Sequence, residues 1–425
     1  MQTNLPPFFK QSPEGVEADA ILRSCVHCGF CNATCPTYEE LNDERDGPRG
    51  RIYLIKQLLE EGKATAQTRT HLDRCLSCRS CETTCPSGVE FGRLLDIGRN
   101  IIEQQQSRPW VEQLFRKSLR LVVPYRNRFK FFLRLGQFFY PVLPATLKEK
   151  IPPKRLGSNW PKQKHQRVML VLSGCVQPGT TPNTNAAAAR VLDRLGISLL
   201  EIKKDSCCGA LSYHLSAQEE AKGFMRRNID VWWPMIEKGA EAIVMTASGC
   251  GTTVKDYGYI LKDDPAYAEK AKRVSELTKD LSEILIDEDL SPLKFRSTNE
   301  IGSNGIGSIG SNEQQEKIAV HCPCSLQHGQ KLPTHLEIVL NKLGFNLVQT
   351  EDKHLCCGSA GTYSMLQSTL SQTLLDNKIK ALTSNNPDQI VTANVGCQLH
   401  LESKSTIPVS HWIELLDKNS VGLIE

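Results

Sequence analysis

The strongest constraint on the fold of this chain is a cysteine motif that occurs twice near its N-terminus. In both copies three cysteines are separated by two residues each, and a fourth follows after three residues and precedes a proline. The motif cysteines are Cys25, Cys28, Cys31 and Cys35, then Cys75, Cys78, Cys81 and Cys85. The chain has 17 cysteines, an odd number, and no secretory signal pattern, so we expect thiolates that bind metal rather than a disulfide framework.

Bacterial two-cluster ferredoxins use this spacing to bind [4Fe–4S] clusters, and the fourth cysteine of each run ligates the other cluster. The rule predicts one cluster on Cys25, Cys28, Cys31 and Cys85, and a second on Cys75, Cys78, Cys81 and Cys35. Crossed ligation requires neighbouring clusters. Because protein occupies all four iron corners, such clusters would carry electrons and not bind substrate.

Two other interpretations of the motifs stay open at this stage. Cys-x2-Cys pairs also form tetrahedral zinc sites, although these use two pairs and have no need of a third cysteine or of Cys-Pro. Alternatively the clusters could only hold the fold together, but a single cluster would suffice for that. The doubled motif therefore favours electron transfer.

The composition is that of a soluble globular protein: of 425 residues 40% are hydrophobic and 23% are charged, and the net charge is +4. The longest apolar run, Val168 to Leu172, has five residues, whereas a membrane span needs about 20. The N-terminus has no basic segment leading into an apolar stretch, which predicts a cytoplasmic protein. Aromatic residues make up 6% and no reader motif occurs, so we expect no nucleic-acid partner.

Residues 108–155 combine basic and aromatic side chains. They hold twelve Lys or Arg against two Glu, which gives +10 in 48 residues, and apolar residues such as Leu114 and Phe131 are interleaved with them. The segment could lie on an anionic membrane surface, at the cytoplasmic face of the inner membrane. It could equally be a helical connector whose apolar side packs on the rest of the chain, with its arginines in solvent.

From Val168 onward the chain contains two copies of one unit. Matching segments end at Cys175 and Cys324, at the turns Cys207-Cys208-Gly209 and Cys356-Cys357-Gly358, and at Cys250 and Cys397, with offsets of 149, 149 and 147 residues. Each copy has the pattern of a short buried strand, a Gly/Cys turn, a helix and a second strand. We therefore expect an α/β unit with its site at the strand ends.

Each repeat offers four further candidate ligands: Cys175, Cys207, Cys208 and Cys250 in the first, and Cys324, Cys356, Cys357 and Cys397 in the second. Adjacent cysteines bridge each other only with strain, and the following glycine lets backbone approach a bulky ligand, which together favour a further iron–sulfur cluster. Buried cysteines acting as small hydrophobes are the alternative. Cys322 is an extra cysteine. Of the nearby histidines, His321 among them, we consider only His400 as a ligand, although Thr253 stands at its position in the first repeat.

These features predict an α+β multidomain fold with five parts. They are an α-helical two-cluster ferredoxin-type domain (1–105), with a helix over Pro48–Gly62; a basic helical connector (106–165); a first α/β Cys-Cys-Gly domain (166–296); a flexible linker rich in Gly, Ser and Asn (297–316); and a second α/β Cys-Cys-Gly domain (317–425).

The chain resembles the iron–sulfur subunits of glycolate oxidase, also called glycolate dehydrogenase. Residues 25–38, 48–62 and 71–99 and the two Cys-Cys-Gly repeats carry the resemblance, which covers most of the chain. It implies a multisubunit enzyme in which separate flavin subunits oxidise glycolate to glyoxylate. This chain would then have no catalytic residues of its own and would pass electrons toward a membrane quinone. No G-x-G-x-x-G fingerprint follows a strand, in agreement with that division of labour.

The repeats also resemble the Cys-Cys-Gly domains of heterodisulfide reductases and of the third subunit of anaerobic glycerol-3-phosphate dehydrogenase. The heterodisulfide reductase pattern has a further cysteine three residues after the last one, where this chain has Thr253 and His400. A thiol–disulfide reductase that acts at the Cys-Cys pairs, and a membrane anchor for flavin subunits through residues 108–155, stay open as alternatives.

Overall fold

The structure is a computed structural model that describes residues 1–144, 148, 151–202, 204–293 and 316–420. Except for Glu316, the linker predicted over residues 297–316 lies outside the described residues.

The N-terminal part is built from short helices around one apolar core. The helices are Pro7–Lys10, Pro13–Ser24, Pro36–Leu41, Pro48–Glu61, Ala66–Asp73, Ser80–Thr83 and Phe91–Gln105, with 3-10 turns at Phe30–Thr34 and Glu44–Asp46. The predicted helix after Pro48 is confirmed, and it ends where Gly62 takes a left-handed φ of 66°. Its apolar face packs against the helix Phe91–Gln105, with Ile55 in contact with Gly98. Along the chain, the helix Pro48–Glu61 lies between the two cysteine motifs.

A buried ion pair ties these helices together. Asp46 is fully buried, and its carboxylate accepts hydrogen bonds from Arg74 at 2.9 Å and Arg51 at 3.5 Å and lies 3.0 Å from His71 Nδ1. Arg51 is 1% exposed and also donates to the His71 carbonyl at 2.8 Å and to Thr37 Oγ1 at 3.0 Å. Both charged side chains make several polar contacts with protein groups, and these contacts offset the cost of removing the charges from water.

Residues 106–165 contain the helices Trp110–Val122 and Arg126–Phe138 and a 3-10 turn at Tyr140–Val142. The first helix buries only Leu119, and the second buries none of its residues. The first part of the segment is helical, as the sequence predicts, whereas residues 151–165 form neither helix nor strand. The limits of all five proposed domains stay predictions.

Each repeat forms a four-stranded parallel sheet, which confirms the predicted α/β class. The first sheet has the order β2-β1-β3-β4 and the second the order β6-β5-β7-β8, so both repeats share one topology. The strands are β1 Arg167–Val171, β2 Ile197–Glu201, β3 Ile243–Met245, β4 Thr278–Asp280, β5 Lys317–His321, β6 Asn346–Val348, β7 Gln389–Thr392 and β8 Val409–His411. The cysteine segments follow β1, β3, β5 and β7, and so lie at the carboxyl edges of the sheets.

The helices of the repeats cover the sheets and join them through a shared core. In the first repeat they are Gln177–Thr180, Asn183–Arg194, Ala210–His214, Gln218–Glu237, Ser248–Lys255, Tyr257–Ile260, Ala268–Leu277 and Leu281–Asp287; in the second, after a π turn at Ser325–Gly329, they are His335–Lys342, Tyr363–Leu366, Ser368–Thr383, Val395–Glu402 and Trp412–Asn419. The last of these packs on Asn183–Arg194, where Arg190 pairs with Asp417.

The N-terminal part docks on both repeats. Arg79 pairs with Asp256 of the first repeat at 2.7 Å. Thr83 Oγ1 lies 2.8 Å from His328 Nδ1 of the second repeat, where the Tyr363 hydroxyl donates to the Arg74 carbonyl at 2.9 Å. The loop and short helix that carry Cys75, Cys78 and Cys81 therefore face the carboxyl edges of the sheets.

We expect Asp46→Ala to lower the free energy of unfolding of the chain by about 3–5 kcal/mol, because it leaves buried Arg51 uncompensated. Urea denaturation followed by far-ultraviolet circular dichroism measures the change. Glu90→Ala is the control, since it removes an exposed ion pair with Arg93 and should cost no more than about 1 kcal/mol. Equal stabilities of the two variants would contradict this role of the buried pair.

Candidate metal centres

The first cavity lies between the two cysteine motifs. It is lined by Cys25, Cys28, Cys31, Cys81 and Cys85, together with apolar side chains that include Val26, Ile52, Val89 and Phe91. Cys85 reaches this cavity from the second motif, as crossed ligation requires. Cys28 is exposed, so the cavity meets the protein surface.

The second cavity lies deeper, next to the first. Its thiols belong to Cys35, Cys75, Cys78 and Cys81, and its apolar lining includes Leu76, Phe91 and Leu95. Cys81 and Phe91 line both cavities. The structure thus groups the eight motif cysteines in the two sets named from the sequence. That each set ligates a cluster stays a prediction.

The backbone of the two cysteine loops has the same unusual conformation in both copies. Residues on either side of the second cysteine are left-handed: His27 and Gly29 have φ of 61° and 88°, and Ser77 and Arg79 have φ of 55° and 61°. Such conformations are costly for residues other than glycine and are found where the surroundings impose them. The two cysteine loops therefore share one backbone conformation around their second cysteine.

The electrostatics of the thiols fit a bound cation. Burial and the neighbouring Cys25, Cys85 and Cys28 thiols raise the pKa of Cys31 to about 11. Burial, with the other thiols nearby, also raises the pKa of Cys78 and of Cys81 well above the ordinary value. A metal that coordinates a thiol deprotonates it outright. Iron bound among these sulfurs would therefore offset the cost of ionising buried, neighbouring thiols. Four sulfurs around an apolar cavity are the donor set of a [4Fe–4S] cluster.

Arg51 links the second cavity to the buried ion pair, a role that the sequence analysis missed. Its guanidinium donates to Thr37 Oγ1 and lies 3.9 Å from the Cys35 sulfur. The same arginine lines the second cavity. A fixed positive charge therefore stands beside a group that carries negative charge when its thiols are ionised. The position of Arg51 on the apolar face of its helix was the sequence feature that could have indicated a buried, functional arginine.

In the first repeat the four predicted thiols come together in an apolar setting. The Cys207 thiol lies close enough to those of Cys175 and Cys208 to interact with them, as does the Cys208 thiol with that of Cys250. One thiol site is thus formed by the segments that follow β1 and β3 together with the Cys-Cys turn.

The second repeat gathers its thiols in the same way and adds a histidine. Cys324 and Cys356 sulfurs are 3.8 Å apart, and the Cys357 and Cys397 sulfurs lie within 4.8 Å of each other. A ring nitrogen of His321 lies within 4.8 Å of the Cys357 and Cys397 sulfurs.

The structure groups His321 with these thiols, whereas the sequence pointed to His400. The Nε2 atom of His400 lies 3.1 Å from Ser371 Oγ. That either histidine binds a metal stays a prediction. Cys322 also stays outside both thiol sites, and its sulfur faces the Leu332 carbonyl at 3.9 Å.

The glycines of the Cys-Cys-Gly turns lie close to neighbouring helices. Gly209 and Gly358 have φ of 93° and 83°, and a Cβ atom at Gly358 would lie 2.6 Å from the Ser371 carbonyl oxygen. They let each turn approach a neighbouring helix, while the expected approach to a bulky ligand stays a prediction. Their amides donate to the Cys207 and Cys356 sulfurs at 3.4 Å, which favours the ionised form of each thiol.

The second cavity adjoins the thiol site of the second repeat. Leu76, Cys356, Tyr363 and Leu374 form one buried cluster, against which Cys78 and Cys324 pack. Cys78 lies close enough to both Cys324 and Cys356 for their charges to interact. The thiol sites therefore form a continuous series from the surface to the second repeat.

Two arginines of the helices in residues 108–155 form ion pairs with the first repeat, whereas the connector hypothesis places these arginines in solvent. Arg120 pairs with Glu220 at 2.7 Å, and Arg126 pairs with Asp205 at 2.6 Å and donates to the Gly174 carbonyl at 3.1 Å. The apolar side chains are exposed instead: Trp110, Val111, Leu114, Phe115, Leu121, Phe131, Phe132, Leu135, Phe138, Phe139, Tyr140 and Val142, here called the aromatic face. Among the described helices, none has the length and apolar character to cross a membrane.

Comparison with known proteins agrees with this geometry. A family described as a 4Fe-4S dicluster domain matches residues 21–89, and one described as a cysteine-rich domain matches residues 169–255 and 318–402. The glycolate oxidase iron-sulfur subunit of Escherichia coli K12 is 52% identical over 98% of this chain and 99% of its own length. A probable glycolate oxidase iron-sulfur subunit of Bacillus subtilis is 28% identical over 90% of this chain and 88% of its own.

More distant relatives share parts of the arrangement. The lactate utilization protein A of Bacillus subtilis is 23% identical over 55% of this chain and 92% of its own length. A crystal structure of a hypothetical protein from Helicobacter pylori has a TM-score of 0.53 at 10% identity and covers 97% of this chain and 74% of its own, which indicates a shared fold alone. With a dicluster domain, two cysteine-rich repeats and a full-length relative at 52% identity, the chain belongs to the family of glycolate oxidase iron–sulfur subunits.

Proposed function

We propose that this chain is the electron-transfer subunit of a flavin-dependent glycolate dehydrogenase, and that it passes electrons from flavin subunits toward a membrane quinone. The observation that carries the proposal is the continuous series of thiol sites, from exposed Cys28 through the second cavity to Cys324 and Cys356. Family membership favours glycolate over the heterodisulfide reductase and glycerol-3-phosphate dehydrogenase readings.

The chain's own residues would bind the two clusters, exclude water from them and offset their negative charge. Cys25, Cys28, Cys31 and Cys85 would hold one cluster, and Cys35, Cys75, Cys78 and Cys81 the other. When bound, such clusters supply one-electron exchange, which lets the chain receive the electron pair of a reduced flavin in single steps. The apolar lining excludes water from both cavities, and Arg51 offsets negative charge at Cys35.

The aromatic face supports a membrane surface as the second partner. The face is unpartnered in the described chain, and exposed Lys117, Arg128 and Arg134 lie among its residues, a combination that suits the interface of an anionic bilayer. Arg126 ties the same helices to Gly174, next to Cys175 of the first repeat. Binding at the cytoplasmic face of the inner membrane would bring the first repeat near quinone.

Replacing one cavity thiol is expected to cost iron. Anaerobically purified protein should contain about eight irons in its two cubanes, and Cys28→Ala should lose between about one and about four of them. Iron analysis and electron paramagnetic resonance measure the change. Cys322→Ala is the matched control, because that sulfur lies outside the thiol sites. Zinc in place of iron in the wild-type cavities would overturn the assignment.

In the complex with its flavin subunits, Cys78→Ala should slow electron transfer from glycolate to a quinone analogue by more than about tenfold, a barrier increase above about 1.4 kcal/mol. Reduction of the flavin by glycolate, and of a dye that takes electrons directly from the flavin, should continue, because Cys78 belongs to the onward path. Steady-state and stopped-flow assays separate these steps. An unchanged quinone rate, with the second cluster lost, would refute the path.

Binding to vesicles of phosphatidylcholine and phosphatidylglycerol tests the aromatic face. Phe131→Ser and Phe138→Ser should each weaken partitioning about tenfold, because each removes a phenyl ring from the apolar interface. Phe8→Ser is the control, since Phe8 is 75% exposed but lies outside this face. Co-sedimentation reports the partitioning, and equal effects at all three positions would exclude the aromatic face as the membrane contact.

A further inference from the structure

The two repeats differ at one position beside their thiol sites. Aligned on Cys175 and Cys324, the residue at the end of the first strand segment is Leu172 in the first repeat and His321 in the second. Leucine contributes only apolar surface. Histidine adds two nitrogen atoms that need hydrogen bonds or a metal when they are buried.

His321 is placed as a ligand would be. It is 1% exposed, and one of its ring nitrogens lies within 4.8 Å of the Cys357 and Cys397 sulfurs. Nδ1 is 2.9 Å from Thr392 Oγ1, whereas Nε2 has no hydrogen-bond partner among the described residues. A buried nitrogen without a partner is costly. In the tautomer in which Nδ1 donates its proton to Thr392 Oγ1, Nε2 has a free lone pair that a metal can use.

The surroundings of the ring fix its orientation. His321 and Thr392 are paired in register on the neighbouring strands β5 and β7. The hydrogen bond at Nδ1 is the contact by which metal-binding histidines are oriented, with the other nitrogen left for the metal. The Cys397 sulfur is held similarly, since Asn394 Nδ2 donates to it at 3.4 Å.

We propose that Nε2 of His321 is a ligand to iron in a centre of the second repeat, beside Cys357 and Cys397. The inference deepens the proposed function and rests on it, because it assumes that the repeats carry metal. Cys324 and Cys356 connect this centre to the second cavity. Imidazole is neutral where thiolate is negative, and histidine in place of cysteine raises the reduction potential of an iron–sulfur centre. The second repeat would therefore accept electrons more readily than an all-thiolate site.

Pulsed electron paramagnetic resonance of the full complex, prepared anaerobically with natural or ¹⁵N-labelled histidine, tests the ligand directly. The wild type should give a histidine nitrogen coupling that changes with the label. His321→Leu, which introduces the residue of the first repeat, should abolish the coupling. His400→Leu should keep it, because His400 hydrogen-bonds to Ser371 instead.

A second variant covers the case in which His321→Leu fails to fold. His321→Cys supplies another ligand, so it should retain the iron content of the wild type while losing the nitrogen coupling. No coupling in the wild type, coupling that persists without His321, or zinc instead of iron in the second repeat would overturn the proposal. Failure of the proposed function looks different: the wild-type complex would then not pass electrons from glycolate to quinone, whatever its nitrogen coupling.

Discussion

The N-terminal part of this protein depends on one constraint, which is that each set of sulfurs is completed by the other half of the motif pair. Cys35 and Cys85 are 50 residues apart, yet each joins the thiols of the opposite copy. Neither set exists until both loops have folded, so metal binding and folding are coupled. The helix Pro48–Glu61 connects the first cysteine motif to the second. Arg51 on that helix contacts both the Cys35 sulfur and the buried Asp46 carboxylate.

The repeats also bring together cysteines that are distant in the sequence, but they do so with strands and turns. Parallel strands bring cysteines from distant segments to one edge of a sheet, and the Cys-Cys-Gly turn adds two more. The loop of Cys324 then meets the first repeat through Ser325, whose Oγ lies 2.8 Å from Ser248 Oγ on the helix that carries Cys250. The dicluster part, the second repeat and the first repeat are therefore in direct contact, which is what an electron-transfer subunit with separate entry and exit needs.

Much of the fold and of the candidate metal centres could be predicted, because the spacing of cysteines and the repetition of segments can be read directly from the sequence. The motif cysteines, the helix after Pro48 and the doubled α/β unit needed no knowledge of tertiary contacts. His321 and His400 needed it: His400 is three residues from Cys397 in sequence but turns to Ser371, whereas strand pairing with Thr392 carries His321 to the thiols. The connector hypothesis places the arginines of residues 108–155 in solvent for the same reason. A charge run does not reveal acids such as Asp205 and Glu220, which are supplied by other elements.

The most direct measurement of the crossed arrangement is anomalous X-ray diffraction from crystals of the complex, recorded on both sides of the iron absorption edge. The account predicts iron density in two neighbouring cavities, one bounded by Cys25, Cys28, Cys31 and Cys85 and the other by Cys35, Cys75, Cys78 and Cys81. Iron held by Cys25, Cys28, Cys31 and Cys35 together, or a cavity whose anomalous signal belongs to zinc, would contradict it.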